Sequence, residues 1–450
     1  MPQPYDLTIT QAARQIASGE LSPVTLAESL LARIDALEPS LKAWVYLDPE
    51  AVLAEARLKE RQVESGAALG PLHGIPIGLK DIYYTAGIPT TACSRVYADF
   101  VPEYDATTVT RLKQAGAIVL GKTMTTEFAC MDPSPTFNPW NAAHTPGGSS
   151  SGSAVAVAAR MCPAALGSQT VGSVLRPASY NGVVGLKPTY GRVSRYGVIP
   201  VSWTLDTMGW MTRTVEDAAL LLRVLAGADP LDPVTSPLPV PDYLAGLESP
   251  AAPRVGWLRQ FYYENADAET QAHVDGVLER LARAGATIEE LPLPASMDTA
   301  IADQQLVMAV EGAAFHQPMY QRQAQDYQPQ LRAMIARGLN ANVTDYTRAL
   351  ERRLQLVADL RELAQGVDVL LTPATPTPAL PDRTNTGNTR FQGPWTAGGL
   401  PAITVPSGLA ASGLPLGIQL ASAAFAEARL LSAARWCEAA LAVTLVPPLA

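Results

Sequence analysis

Residues 8–65 alternate apolar and polar positions with a helical period. Leu26, Leu30, Ile34 and Leu37 recur at spacings of three and four, which puts them on one helix face. Ser22-Pro23 just ahead supplies a cap and a proline at the first helical position. A second helix is predicted over 51–63, rich in Ala, Glu and Arg. At 72–82 the pattern changes. Leu-His-Gly-Ile-Pro-Ile-Gly-Leu-Lys-Asp-Ile is short, branched and punctuated by glycine, as a buried strand is. Further strands are predicted at 117–120, 164–167, 183–186, 254–258, 367–371, 402–405 and 416–420. Helices are predicted at 107–115, 154–160, 215–225, 267–284, 300–323, 343–365 and 427–440. The stretch 132–153 reads as a loop, with four prolines before a Gly/Ser run, and 228–253 as a Pro- and Asp-rich surface excursion. Strands alternating with helices predict a layered α/β fold around a buried sheet. No internal repeat is visible.

Composition narrows the function. Of 450 residues, 48% are hydrophobic and 17% charged, enough for a large core and too apolar for global disorder. Acidic residues number 42 against 33 basic ones, a net charge of −9. That excess leads to the expectation of no nucleic-acid partner, because phosphate binding draws on a surplus of cations. No run of about 18 apolar residues occurs, so no membrane partner is expected. The opening residues Met1–Asp6 show no basic and apolar leader, and Cys93, Cys130, Cys162 and Cys437 form no Cys-x-x-Cys pair. Together these point to a reduced, cytoplasmic protein. His73, His144, His273 and His316 have no metal-ligand spacing, so neither metal nor cofactor is expected.

Four constellations carry candidate chemistry. Gly116-Ala-Ile-Val-Leu-Gly121-Lys122-Thr123 matches the phosphate-loop pattern, but Ala-Ile-Val-Leu favours a strand where a curled loop is needed. Gly148-Ser-Ser150-Ser-Gly152 matches a nucleophile elbow, which requires a strand before it. Pro139 and Pro146 argue against that strand, and His273 or His316 would have to complete the set. Lys80 lies among Ile75, Ile77, Leu79 and Ile82. Burial there would favour the neutral amine, a good general base; the alternative is a structural ion pair with Asp81. Last, the Gly/Ser runs 147–153 and 167–173 can present backbone N–H groups to an oxyanion and hold a nucleophilic serine. Two packed turns would look the same.

Taken together, these segments resemble the amidase signature family. Gly147–Ser153, Gly167–Pro177 and Gly182-Val-Val-Gly-Leu-Lys-Pro-Thr-Tyr-Gly-Arg-Val look like its signature block. Gly74-Ile-Pro-Ile-Gly-Leu-Lys-Asp is similar to its lysine segment. Asp206-Thr-Met-Gly, Met211–Ala219, Leu400-Pro-Ala-Ile-Thr-Val-Pro and Leu414-Pro-Leu-Gly-Ile-Gln-Leu fit as well, so the resemblance runs from about Thr8 to Ala440. It implies a three-layer α/β/α sandwich around a large, mostly parallel mixed sheet. It also implies a single domain over 1–450, with N-terminal helices at about 8–65, a signature core at about 70–225 and the excursion at about 228–253. The implied site is a Ser–cis-Ser–Lys triad: Lys80 the base, Ser149 the bridge after a cis peptide, Ser173 the nucleophile that forms an acyl-enzyme. The N–H groups of Thr170, Val171, Gly172 and Ser173 would form the oxyanion hole. Gln169 stands where the family often has Asp, Val171 where it has Gly, and Ser173-Val174-Leu175 where it has Ser-Ile-Arg, with Arg176 displaced by one.

The family includes stand-alone amidases, carbamate hydrolases and the glutaminase subunit of a tRNA-dependent amidotransferase. That subunit usually has a longer Tyr- and Lys-rich segment before its last helices. Here Arg332-Ala-Met-Ile-Ala-Arg-Gly and Val343-Thr-Asp-Tyr-Thr-Arg-Ala-Leu-Glu-Arg-Arg look more like the stand-alone enzymes. The expected activity is therefore hydrolysis of small or aryl amides, carbamates (urethanes) included, releasing an amine or ammonia. The alternatives are the glutaminase subunit and a catalytically silent binding protein. Expected partners are a small-molecule amide or carbamate, with a homodimer left open. Ala129, Cys130 and Met131, the loop to Trp140, and Trp203 or Trp210 are the expected pocket lining. Segments 228–253 and 300–340 are expected to set access.

Overall fold

The computed structural model describes residues 3–449; Met1, Pro2 and Ala450 lie outside the described residues. Its strands are β1 (Trp44–Leu47), β2 (Pro76–Lys80), β3 (Ile118–Thr123), β4 (Ala164–Gln169), β5 (Val184–Lys187), β6 (Thr207–Thr212), β7 (Arg254–Trp257), β8 (Thr287–Glu290), β9 (Val369–Pro373), β10 (Ala402–Leu409) and β11 (Pro415–Ala421). They form one sheet in the order β1-β3-β2-β4-β6-β5-β10-β11-β9-β7-β8. Strands from the first half of the chain occupy one side and those from the second half the other. The halves join where β5 pairs antiparallel with β10, Lys187 opposite Ala402.

Successive side chains on a strand point to opposite faces, and the cores follow that rule. Ala164 and Leu166 of β4 pack with Ile9, Val215, Leu222 and Leu430 on one face, while Ala165 packs with Ile34, Val52 and Val155 on the other. In the second half, Val369 and Leu371 of β9 join the first core, and Leu370 packs with Leu356, Leu360 and Trp395. Helices thus cover both faces, as the α/β/α expectation requires. The expected parallel majority is corrected. Among the described residues β2 pairs parallel with β3 and β4, and β7 with β8 and β9, while the other six pairings are antiparallel. The link from β10 to β11 is too short for a parallel crossover, so that pair is a hairpin.

Local signals explain most elements. Ser22 accepts from Val24 N and Thr25 N to cap the helix Pro23–Leu41, and Thr214 accepts from Asp217 N to cap Val215–Leu225. The phosphate-loop pattern is β3, a strand, as its apolar middle predicts. The helix Pro329–Leu339 and strands β1, β6 and β8 are additions to the sequence-based scheme.

Lys80 ends β2, with parallel neighbours on both sides, and β4 ends at Gln169. The crevice beyond the carboxyl ends of parallel strands is where α/β sheets bind ligands.

Candidate active site

Lys80 is fully buried, and its Nζ donates to Ser149 Oγ at 2.7 Å and Ser168 Oγ at 2.9 Å. No carboxylate lies within ion-pair distance of it among the described residues. Asp81 instead accepts from Thr91 Oγ1 and from the backbone N–H groups of Thr91 and Cys93. The structural ion-pair alternative is therefore not what the fold builds. Burial lowers the Lys80 pKa to about 7, with Asp206, Cys130 and Cys93 pulling the other way. Near neutrality a large share of this amine is unprotonated, as a general base must be.

Ser149 follows a cis peptide from Gly148, at the head of the Gly/Ser run. Two glycines of that run are dictated by space and conformation. Gly147 has φ +77° beside Pro177, and a Cβ on Gly152 would lie 2.3 Å from Ala43 O. Ser150, the centre of the elbow-like pattern, is wholly buried with its Oγ facing Ser168, and no strand precedes it.

The turn after β4 carries Thr170, Val171, Gly172 and Ser173. Among the described residues none of these four N–H groups donates to a protein acceptor. Thr170 Oγ1 donates to Asp206 at 2.6 Å, Thr170 O accepts from Gln304 Nε2 at 3.0 Å, and Val171 O accepts from Thr396 Oγ1 at 2.8 Å. The turn is thus held by its carbonyls and one side chain, and its N–H groups are left without a protein partner among the described residues. Burial raises the Asp206 pKa, opposed by its bonds from Thr170, Val201 N and Ser202 N.

The departures from the family pattern have local explanations. Gln169 Oε1 accepts from Val174 N (2.9 Å) and Leu175 N (3.0 Å), the first free N–H groups of the helix Leu175–Asn181, while its Nε2 donates to Thr396 Oγ1. An amide can therefore do here what a carboxylate acceptor would do. Val171 is not among the residues of positive φ, so a β-branched side chain sits there without backbone strain.

Ser149, Thr170, Val171 and Ser173 line one cavity of about 390 Å³, together with Ala129, Cys130 and Met131. Ser149 and Ser173 share no side-chain hydrogen bond among the described residues; the nearest link is Ser150 N to Ser173 O at 3.4 Å. The tryptophan expectations are corrected. Trp210 is fully buried in β6, its Nε1 donating to Ala218 O, because its alternating position faces the core. Trp203 is 50% exposed and lines a separate depression with Arg195, Asp206 and Asp232. Trp140 is bonded to Asn181 O and packs by Tyr180, away from the lining. Sequence reasoning missed Ser168 and, in the cavity wall, Gln305, Met308, Gln330, Arg337, Asp382, the stretch 384–387 and Thr389; Arg176, singled out only as a displaced family position, lines it too. The 300–340 region does border the cavity, whereas 228–253 contributes no lining residue.

Residues 25–431 match the family described as Amidase. The chain belongs to the amidase signature family. A glutamyl-tRNA(Gln) amidotransferase subunit from Chloroflexus aggregans is 40% identical over 467 aligned positions, covering 96% of each chain. The native peptide amidase of Stenotrophomonas maltophilia superposes with a TM-score of 0.87 at 32% identity, covering 99% of each chain. A protein from a vestigial complex tied to the origins of an s-triazine catabolic enzyme superposes with a TM-score of 0.91 at 30% identity, covering 98% of this chain and 100% of that one. The Chloroflexus relative overturns the exclusion of nucleic acid drawn from the acid excess. A family member this similar over its whole length is named as part of a tRNA-dependent enzyme. Charge summed over a chain describes neither a local surface nor an assembly. As for membranes, no helix of the described residues is long and apolar enough to cross one.

Proposed function

We propose that the chain hydrolyses amide C–N bonds through Ser173, with Ser149 relaying a proton to Lys80. The observation that carries this reading is a buried amine of pKa about 7 bonded to Ser149 on the wall of the cavity that Ser173 also lines. Neutral Lys80 takes the Ser149 proton as Ser149 takes that of Ser173. Ser173 Oγ attacks the carbonyl carbon, and the free N–H groups of 170–173 receive the oxyanion. The proton returns through Ser149 to the leaving nitrogen, and water then releases the acyl group by the same relay. The Ser149–Ser173 contact closes when substrate fills the cavity, since catalytic hydrogen bonds commonly tighten on complex formation.

On substrate, the relatives support glutamine as the ammonia source, with the chain as the glutaminase component of an amidotransferase; its partners would then be further subunits and a tRNA. A second reading, a stand-alone hydrolase of small or aryl amides and carbamates, rests on the Arg-rich rather than Tyr- and Lys-rich stretch at 332–353. A hydrolysis panel of glutamine, short aliphatic amides, a para-nitroanilide and an aniline carbamate separates them, run with wild type and Ser173→Ala. Turnover lost by about 10³-fold or more in Ser173→Ala supports the nucleophile, since members of such a relay fail as a unit. Glutamine alone as substrate favours the amidotransferase component, and anilide or carbamate turnover favours the free-standing enzyme. Well-folded protein inert toward the whole panel would sink both readings and leave the silent binding protein.

A further inference from the structure

The turn after β4 is gripped from behind by one long helix, Met297–Gln323. Gln304 of that helix is only 2% exposed, and its Nε2 donates to Thr170 O at 3.0 Å. Its Oε1 has no donor among the described residues, so the bond to Thr170 is the one its buried carboxamide makes. An apolar side chain of the same bulk would fill that space without the cost of burying an amide. What the polar group adds is its hold on the turn. Seven residues on, the buried carboxylate of Glu311 accepts from Ser202 Oγ, Thr204 Oγ1 and Tyr346 Oη, and from Thr204 N at 3.0 Å. The loop clamped in this way donates Val201 N (2.8 Å) and Ser202 N (3.0 Å) to Asp206, which also takes the Thr170 hydroxyl. Residues seven apart share a helix face. Between them Val307 joins Leu205 in one apolar cluster, and a Cβ on Gly312 would lie 3.3 Å from Val201 O, so the helix runs close along this loop.

A trans peptide unit is planar, and its C=O and N–H point in opposite directions. Whatever fixes Thr170 O therefore fixes the direction of the Val171 N–H, which belongs to the same peptide unit. Thr396 Oγ1 does the same for the Gly172 N–H by holding Val171 O. Neither N–H has a protein acceptor among the described residues. A donor to an oxyanion is effective when it is aimed beforehand at the place where charge develops.

We infer that Gln304 is a positioning residue for amide hydrolysis: it aims the Val171 N–H at the oxyanion, while Glu311 steadies the same turn through Asp206 and the Thr170 hydroxyl. The inference rests on the amide-hydrolase reading and adds to it two residues outside the cavity. Neither Gln304 nor Glu311 lines that cavity, whereas Gln305 and Met308 of the same helix do. One helix of the second half thus supplies both a wall of the cavity and the brace of the turn, across a separation of 134 residues in sequence. An interaction that matters only once the oxyanion forms acts on kcat and leaves KM alone.

The test uses full-length wild type, Gln304→Met, which keeps the bulk and removes the donor, and Glu311→Gln, which keeps the shape. Steady-state kinetics on one neutral amide give kcat and KM of the folded protein, and phenylboronic acid is the second probe. Its boron takes Ser173 Oγ as a fourth ligand, the serine proton passes to the relay, and the anionic tetrahedral adduct draws on the same N–H groups. Gln304→Met should lower kcat by about 10–100-fold, approaching the ~10²–10³ of an oxyanion donor lost outright. KM should stay unchanged, and the boronate should bind more weakly by a like factor. Glu311→Gln should act in the same direction by a smaller factor, and it carries the test alone where Gln304→Met does not fold. A merely structural role would lower the melting temperature while kcat of the folded protein and boronate affinity kept their wild-type values. That result would overturn the inference and leave the hydrolase reading standing. If wild type turns over no amide, that reading fails, and the boronate titration decides the inference alone. Binding lost in Ser173→Ala and weakened about tenfold or more in Gln304→Met supports it; no binding, or binding unchanged in Gln304→Met, overturns it.

Discussion

At the scale of single residues, the proposed mechanism turns on the protonation of Lys80. A lysine in water stays charged to a pH near 10.4, and a charged ammonium cannot accept a proton from Ser149. Burial brings this pKa to about 7, so the competent neutral form grows as pH rises through that value. The expected profile of log kcat/KM has an acid limb of slope one, bends near pH 7 and is flat above about pH 8. Rates measured from pH 5.5 to 9 on one neutral amide check this; a profile flat across the range, with chemistry limiting, would remove Lys80 as the base. The residue itself was legible, because a lysine inside Ile-Pro-Ile-Gly-Leu-Lys-Asp-Ile has nowhere to go but the interior. Ser168 was not, since the serines of a Gly/Ser run look alike until the register of β2 against β4 brings one beside Nζ. Trp203 and Trp210 were equally indistinguishable, both bordering apolar stretches. Only their positions in the fold separate the exposed one from the buried one.

At the scale of elements, the turn between β4 and the helix Leu175–Asn181 decides how well the oxyanion would be held. Gln169 ties its two ends together, accepting from the start of the helix and donating to Thr396, which in turn bonds Val171 O. Gln169→Leu keeps roughly the same bulk but strands two buried N–H groups. The expected cost is about 2–6 kcal/mol of stability, at 1–3 kcal/mol for each unsatisfied buried group, and a fall in kcat of about tenfold or more as the turn loosens. Denaturant melts and steady-state kinetics measure the two effects. An unchanged melt with unchanged kcat would show that the turn does not depend on this side chain. Elements such as Val215–Leu225 were readable because eleven residues give several turns of periodicity, with acidic residues in the first turn. β1 and β8, with four residues each, give too few alternations to register, and β8 is largely exposed. The helix Pro329–Leu339 follows another long helix closely, so its start was absorbed into the loop ahead of Val343.

At the scale of the whole molecule, the labour is divided between two halves of one sheet. Lys80, Ser149 and the turn at 170–173 come from the chain before β7, while Gln305, Met308, Gln330, Arg337, Asp382, the stretch 384–387 and Thr389 close the cavity from the second half. The distant half was the illegible part of the site, because its contributions are single polar side chains on helices and loops, with no motif of their own. Its separation in sequence does not make it a separate folding unit. One apolar core runs from Ile9 to Leu441, β5 and β10 share a ladder, and a chain cut between the halves would expose both strands as edges. The molecule is therefore expected to unfold in one cooperative step. Its seven tryptophans make this measurable, with Trp44, Trp140, Trp203 and Trp210 in the first half and Trp257, Trp395 and Trp436 in the second. Tryptophan fluorescence, far-UV circular dichroism and residual activity should fall together along a single denaturant curve. A first transition that erased activity but left half of the ellipticity would show that the cavity wall detaches from a folded relay. It would also mean that the β5–β10 ladder is a weak seam in the sheet.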